Sequence, residues 1–415
     1  MAVPEAFLQT MSGGEVKRRC VFFLGGYEPM APERQHERFA REIGRFQRTW
    51  NVSAAVSDLS VSSDHAIAQW RVETRGPNWS VETEYRSLYW GDVVEADFGR
   101  SDWIRVPRGI AAFVDFIVSG TAWRYFAVNW RYGLFFAYPI VIFTSFVAAA
   151  IAAAWFAVRL GVPLPILSAP LIACAVFTGL LVVPGRYVML PYMFDDWIFA
   201  QELVHRTRPG LDARLQAFAE EIVKRRKQGG YDEIIFMGHS LGCALKLDVI
   251  DRVLRIENGA GPNEPFNMLS AGSSLLKIAL HPAGAWLKTA VARVSQYKNV
   301  FWVDFESMVD IISFYKVDPV KALRLPPTGQ PIIKRVHVRD MLQRDTYKRF
   351  RGNFFRLHRQ LVMGNDKRYF YDYFMVCCGP FRFNTRLRDP ELMTAAFAPD
   401  GSLRAGTEQH KATGT

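Results

Sequence analysis

The chain has 415 residues, half of them hydrophobic and 14% aromatic, with 51 Lys and Arg against 40 Asp and Glu and a formal net charge of +11. That length and apolar content exclude a disordered chain and a small disulfide-stapled scaffold, and leave room for a large core plus membrane segments. The basic balance suits nucleic acid or anionic lipid. No helix-turn-helix, zinc or RNA-binding signature accompanies it, so a lipid surface is the expected partner and nucleic acid is not.

Residues 1–17 read as a loose tail without the apolar core of a signal peptide. Arg19 to Leu24 is β-prone and runs into Gly25-Gly26-Tyr27. A strand ending in paired glycines can turn backbone N–H groups toward a ligand; a plain turn is the alternative. Glu33 to Phe46 predicts a charge-rich helix with Phe39, Ile43 and Phe46 on one face. Ala66–Thr74 and Trp79–Trp90 predict a hairpin through Gly76-Pro77-Asn78 that feeds an edge of a sheet. Pro107 to Trp130 predicts one aromatic-rich amphipathic helix.

Two uncharged stretches follow, residues 133–158 and 164–183, separated by a break around Arg159 to Pro163. The first is about 39 Å long as a helix, enough to span a bilayer with some tilt. So short a break allows only an antiparallel hairpin. Pro165 and Pro170 keep a re-entrant pair as the alternative, and a buried core hairpin is a further one. Arg124, Arg131 and Arg186 flank the hairpin, and by the positive-inside rule both large soluble blocks face the cytoplasm. The five cysteines, with Cys377 beside Cys378, lack a disulfide-framework spacing and agree with a reducing compartment. The Ala/Arg-rich composition points to a bacterial inner membrane. The expected domains are a tail (1–17), a first block (18–130), the hairpin (131–186), a second block (187–395) and a disordered tail (396–415).

Asp196 to Lys227 predicts a long amphipathic helix ended by Gly229-Gly230. The stretch that organises the chain comes next. Ile234-Ile235-Phe236-Met237 reads as a buried strand, Gly238-His239-Ser240-Leu241-Gly242 as a sharp turn, and the apolar repeat from Leu241 to Leu254 as a helix. Strand, G-x-S-x-G turn and helix are what a nucleophile elbow requires. Gly238 and Gly242 allow strand and helix to approach closely, Ser240 is presented on the strained turn, and the Leu241 N–H sits where an oxyanion would be stabilised. Further strands are predicted at Phe266–Ser270, Asn299–Phe305 and Ile332–Val338, with a helix within Ala279–Val294. Their alternation fits a largely parallel sheet covered on both faces.

The segment around GHSLG resembles the serine esterases and lipases of the α/β-hydrolase superfamily, over roughly residues 18–95 and 195–380. The resemblance implies an α/β fold with a mostly parallel sheet, here interrupted by the two-helix hairpin, and a Ser–acid–His triad in that chain order. It also implies a second oxyanion donor from the loop at Gly26 and Tyr27, although Gly25-Gly26-Tyr27 departs from the usual HGGG form. Asp310, in a D-I-I-S segment just past the Asn299–Phe305 strand, is the expected acid, with Asp304 in that strand as competitor. His358 is the expected base because it follows the last strand. His337, read as a packed histidine within that strand, is the competitor, and His239 is expected to face away from the serine. No cofactor is needed, and no H-E-x-x-H or C-x-x-C supports a metal.

If Tyr85–Trp90 runs parallel to its neighbours, the hairpin would hold the catalytic face toward the bilayer, favouring a lipid-derived or other apolar ester as substrate. The expectation is a membrane-anchored serine ester hydrolase. A catalytically silent membrane-tethered scaffold and an acyltransferase using the same triad are the alternatives.

Overall fold

The computed structural model describes residues 15–404, which divide into two compact units. The first comprises residues 15–93, 210–276 and 286–404, and is an α/β unit built on a nine-stranded mixed sheet. Its strands are β1 (Arg18–Leu24), β2 (Ser53–Val56), β3 (Ser60–Val61), β4 (Ile67–Arg75), β5 (Ser80–Leu88), β6 (Glu233–His239), β7 (Phe266–Ala271), β8 (Val300–Ser307) and β9 (Ile332–Val336). They lie in the order β2-β4-β5-β1-β6-β7-β8-β9, with β3 also on β4. From β5 to β9 every pairing is parallel. The expectation of a mostly parallel sheet is met only in part, because β2, β3 and β5 all pair antiparallel with β4. The strands account for this. β6 is buried throughout and is apolar from Ile234 to Met237, whereas β4 largely alternates buried and less buried residues, as an antiparallel strand covered on one face does.

The two faces of β1 show how the sheet is covered. Phe22 stacks on Phe236 with ring centroids 5.7 Å apart. Val21 and Phe23 point the other way, into a core shared with Phe39, Ile43, Phe46 and Trp50 of α1 (Pro32–Trp50). The three apolar marks expected on that helix are all buried. The same core takes in the C-terminal segment, including Tyr373, Phe374, Phe397 and Leu403. A disordered tail from 396 is therefore corrected: residues 396–404 are ordered around those two apolar side chains, and 405–415 lie outside the described residues. The expected N-terminal tail is likewise outside them up to residue 14, while Glu15 bridges to Phe381 and Val16 is fully buried.

The second unit comprises residues 94–209 and 277–285 and is helical. It contains α2 (Asp102–Val118), α3 (Thr121–Val128), α4 (Trp130–Arg159), α5 (Pro165–Val182) and α6 (Leu190–Val204). The single helix expected over Pro107–Trp130 is in fact two, broken at Ser119-Gly120, where Gly120 takes a φ of 74°. The long helix expected over Asp196–Lys227 is also two, α6 and α7 (Leu211–Gln228), and the break at Pro209-Gly210 is where the units divide. The blocks expected at 18–130 and 187–395 thus each give up residues to the helical unit.

Both α4 and α5 are long and apolar enough to cross a membrane, and little of either is buried. The first turns of α4 are exceptions: Tyr132, Gly133, Phe135, Phe136 and Pro139 pack inside the helical unit. That leaves residues 140–159, about 30 Å of helix, against about 27 Å for α5. Either length matches a bilayer's hydrocarbon core.

Candidate active site

Because β1 and β5–β9 run parallel, their C-terminal ends share one edge, and the loops leaving that edge carry the predicted residues. At the end of β6 the chain turns through Ser240 with a φ of 56°, a left-handed conformation that costs a non-glycine residue about 1–2 kcal/mol. It then enters α8 (Gly242–Glu257). The turn is pinned by the Ser240 N–H, which donates to the Ala271 carbonyl at 3.1 Å, and by the Ser240 carbonyl, which accepts from Ser274 at 3.2 Å. A Cβ on Gly238 would come 2.9 Å from the Cα of Cys243, and one on Gly242 would collide with the carbonyls of Leu24 and Gly25. The two glycines are thus required for the reason expected of them: backbone passes against backbone. Leu241 begins the helix, where an N–H has no acceptor within the helix itself.

The loop after β1 lies against the serine. A Cβ on Gly26 would be 2.9 Å from the Cβ of Ser240 and 3.5 Å from its Oγ. The Gly25 carbonyl is held by Trp90 Nε1 at 3.1 Å, and Tyr27 is buried. Beside this loop is a cleft whose lining includes Gly25, Gly26, Glu28, Arg38, His239 and Arg359. Glu28 bridges the two guanidinium groups, at 2.9 Å from Arg38 and 3.0 Å from Arg359.

His358 sits on α9 (Phe354–Arg359) and is buried, with 7% of its side chain exposed. Its Nδ1 is 2.7 Å from Oδ2 of Asp310, a fully buried carboxylate in the turn after β8. The Ile312 N–H donates to the other Asp310 oxygen at 3.0 Å. With Nδ1–H donating to the carboxylate, the His358 proton is placed there and the Nε2 lone pair is left free. That Nε2 is buried without a hydrogen-bond partner. Gly272, at a φ of 58°, follows the Ala271 carbonyl that anchors Ser240, and its missing Cβ would lie 2.8 Å from Asp310 Oδ2 and 2.9 Å from His358 Cε1. The same short turn therefore touches the serine backbone on one side and the His–Asp pair on the other.

The competing residues stand apart. Asp304 is buried within β8, where burial raises its carboxyl and the Lys246 ammonium opposes that rise. Lys246 itself donates to the Leu269 carbonyl at 2.6 Å and to Ser270 Oγ at 2.9 Å. His337 is not a packed strand residue: β9 ends at Val336, and the imidazole is 62% exposed and 3.9 Å from Asp340. His239 lies against the expected base. Its ring packs on that of His358 with centroids 4.5 Å apart, and its Nε2 lies 3.3 Å from the His358 carbonyl. Burial, and secondarily the neighbouring His358, hold its pKa well below the ordinary 6.5, so this ring stays neutral. Neither His239 nor Gly272 had a role in the sequence reading. The only sequence signal for Gly272 was a glycine directly after an apolar strand, and nothing hinted at His239.

Among the described residues one trio, Asp115, His205 and His281 of the helical unit, has ligand atoms close enough for a metal. His205 and His281 Nε2 lie 3.1 and 3.5 Å from Asp115 Oδ2. However, Nδ1 of His281 accepts the Ala283 N–H at 3.1 Å, which puts the proton of the neutral ring on Nε2. A metal needs that lone pair, so the trio is better described as two imidazoles sharing one carboxylate.

Comparison with protein-family models, with curated proteins and with solved structures found no match.

Proposed function

We propose that this chain is a membrane-anchored serine ester hydrolase of α/β-hydrolase type. The observation that carries the reading is the His358–Asp310 pair at 2.7 Å, with the far nitrogen of the imidazole buried and unpartnered, linked through the Ala271–Gly272 turn to a serine held at positive φ. A buried polar atom without a partner costs about 1–3 kcal/mol and calls for a reason; a reacting proton is a sufficient one.

The chemistry follows from the atoms. Ser240 Oγ attacks an ester carbonyl while His358 Nε2 takes its proton, and the Asp310 carboxylate stabilises the imidazolium that forms. The tetrahedral oxyanion is bound by the Leu241 N–H at the start of α8 and by a backbone N–H of the Gly26–Tyr27 loop. His358 returns the proton to the leaving alkoxide. Water, deprotonated by the same nitrogen, then releases the acid from Ser240. No step requires a cofactor.

The two apolar helices support anchorage in a bilayer, since exposed apolar surface of that length has no place in water. Because they are adjacent and antiparallel across a short connection, the chain enters and leaves on one side, which we take as cytoplasmic. An apolar, lipid-derived ester is the matching substrate class. The test is turnover of p-nitrophenyl esters of increasing acyl length by purified protein in vesicles. Turnover that is abolished in Ser240→Ala and in Asp310→Asn, with melting temperatures retained, supports the reading. Equal turnover by wild type and Ser240→Ala would overturn it.

A further inference from the structure

Helix α2 lies outside both apolar spans, yet it exposes an apolar stripe. At 100° per residue, positions 103, 107, 111, 114 and 118 fall within a sector of about 80° and extend along about 22 Å of helix. They are Trp103, Pro107, Ala111, Val114 and Val118, all exposed, with Trp103 at 78% and Val118 at 80%. The opposite sector, Arg105, Gly109, Ala112 and Phe116, is the buried one, and a Cβ on Gly109 would strike the Phe194 side chain of α6. The helix is therefore held by that face, while Trp103, Val114 and Val118 are turned outward. The stripe carries no charge. Arg108 borders it and pairs with Glu202 at 2.6 Å.

We propose that α2 lies in the plane of a membrane surface, its stripe sunk into the headgroup–acyl boundary of the bilayer that α4 and α5 cross. The inference rests on reading those two helices as membrane spans. Three features select lipid over another protein as the occupant. The short stretch of chain from α2 to the first span exposes two more large apolar side chains, Trp123 of α3 and Trp130 at the first turn of α4. Three of these large side chains are tryptophans, which favour the interfacial zone because the ring is apolar and its N–H is not. Exposed Arg108 and Arg124 flank them and suit anionic headgroups. An amphipathic helix so placed buries its apolar face roughly 5–10 Å into the boundary.

The experiment uses full-length protein in phosphatidylcholine–phosphatidylglycerol vesicles. Cys174, the one exposed cysteine, is replaced by Ser, since the other four are buried. Single nitroxide labels are then placed by Val114→Cys, Val118→Cys and Arg108→Cys, with Ile151→Cys in α4 as the span reference. Depth is read from power saturation by oxygen against a nickel chelate, on variants whose melts match the parent. The expected result puts labels 114 and 118 about 5–10 Å below the phosphate plane, label 108 at or above it, and label 151 deeper than all. If 114 and 118 are as open to nickel as 108 while 151 is deep, the in-plane helix is overturned and the spans stand. If 114 and 118 are shielded from both reagents, a protein covers the stripe and the proposal is also overturned. Nickel access at 151 would overturn the spanning reading itself.

Discussion

The most discriminating substitution is Gly272→Ala. Gly272 stands at a φ of 58°, and the new methyl would sit 2.8 Å from Asp310 Oδ2, 2.9 Å from His358 Cε1 and 3.0 Å from His358 Nδ1. Ordinary contact begins near 3.4 Å, so the His–Asp pair must retreat by about 0.5 Å, the tolerance within which a catalytic group must be held. Both side chains are buried, so the displacement must be taken up by packed neighbours rather than by solvent. The left-handed alanine adds a conformational cost of about 1–2 kcal/mol, which lowers the melting temperature by a few degrees. Misplacement of this kind is expected to reduce kcat of ester turnover about 10²-fold with little change in KM. The assay is steady-state hydrolysis beside a thermal melt. Wild-type kcat accompanied by a lowered melting temperature would refute the reasoning, because the strain would then be present without the catalytic geometry it is said to disturb.

Ser240 yields a paired prediction: Ser240→Gly should melt higher than Ser240→Ala by the equivalent of about 1 kcal/mol, since only glycine is relaxed at a φ of 56°. Both should be inert to a serine-directed probe, and equal melts would argue against a strained elbow. His239 sets an acid-side dependence. The unfolded chain takes a proton on this ring below about 6.5, whereas the folded chain, whose His239 pKa is held well below that by burial, does not. Stability should therefore fall as pH drops below 6.5, by up to about 1.4 kcal/mol per unit from this residue. In His239→Gln that portion of the slope should vanish in denaturant titrations at pH 5 and 7. The buried pair Arg19–Glu233, with Nε to Oε1 at 2.7 Å, is a structural counterpart. Arg19 also donates to the carbonyls of Cys377, Gly379 and Phe381, tying the C-terminal segment to β1. Arg19→Met should cost about 3–5 kcal/mol in chemical denaturation, because it leaves a buried carboxylate unpaired; a loss under 1 kcal/mol would show the pair to be dispensable.

What was legible in the sequence was what short-range pattern dictates. The run Ile234–Met237, the two close-approach glycines and the helical repeat after them made the elbow readable. The chain order implied by the family resemblance, with the loop position and D-I-I-S segment of Asp310, then pointed to Asp310 and His358, the two residues found in hydrogen-bond contact. The unread portion depends on contacts distant in sequence. His239 packs on a ring 119 positions away, which no local pattern encodes. Gly272 carried no visible role because the His–Asp pair it faces arrives from later loops. The segment 396–404 looked disordered by composition, yet Phe397 and Leu403 complete the core on one sheet face. In the helical unit the periodicity carried across Ser119-Gly120 and Pro209-Gly210, and the local breakers there decided the structure.

The central claim is that Ser240 is a nucleophile activated by His358. Its most direct test is the rate of fluorophosphonate labelling of detergent-solubilised full-length protein, wild type beside Ser240→Ala and His358→Ala. The account predicts labelling of the wild type at Ser240, none in Ser240→Ala, and a loss of about 10³-fold or more in His358→Ala with its melt intact. A folded wild type that the probe leaves unlabelled, while a control hydrolase reacts, would contradict it.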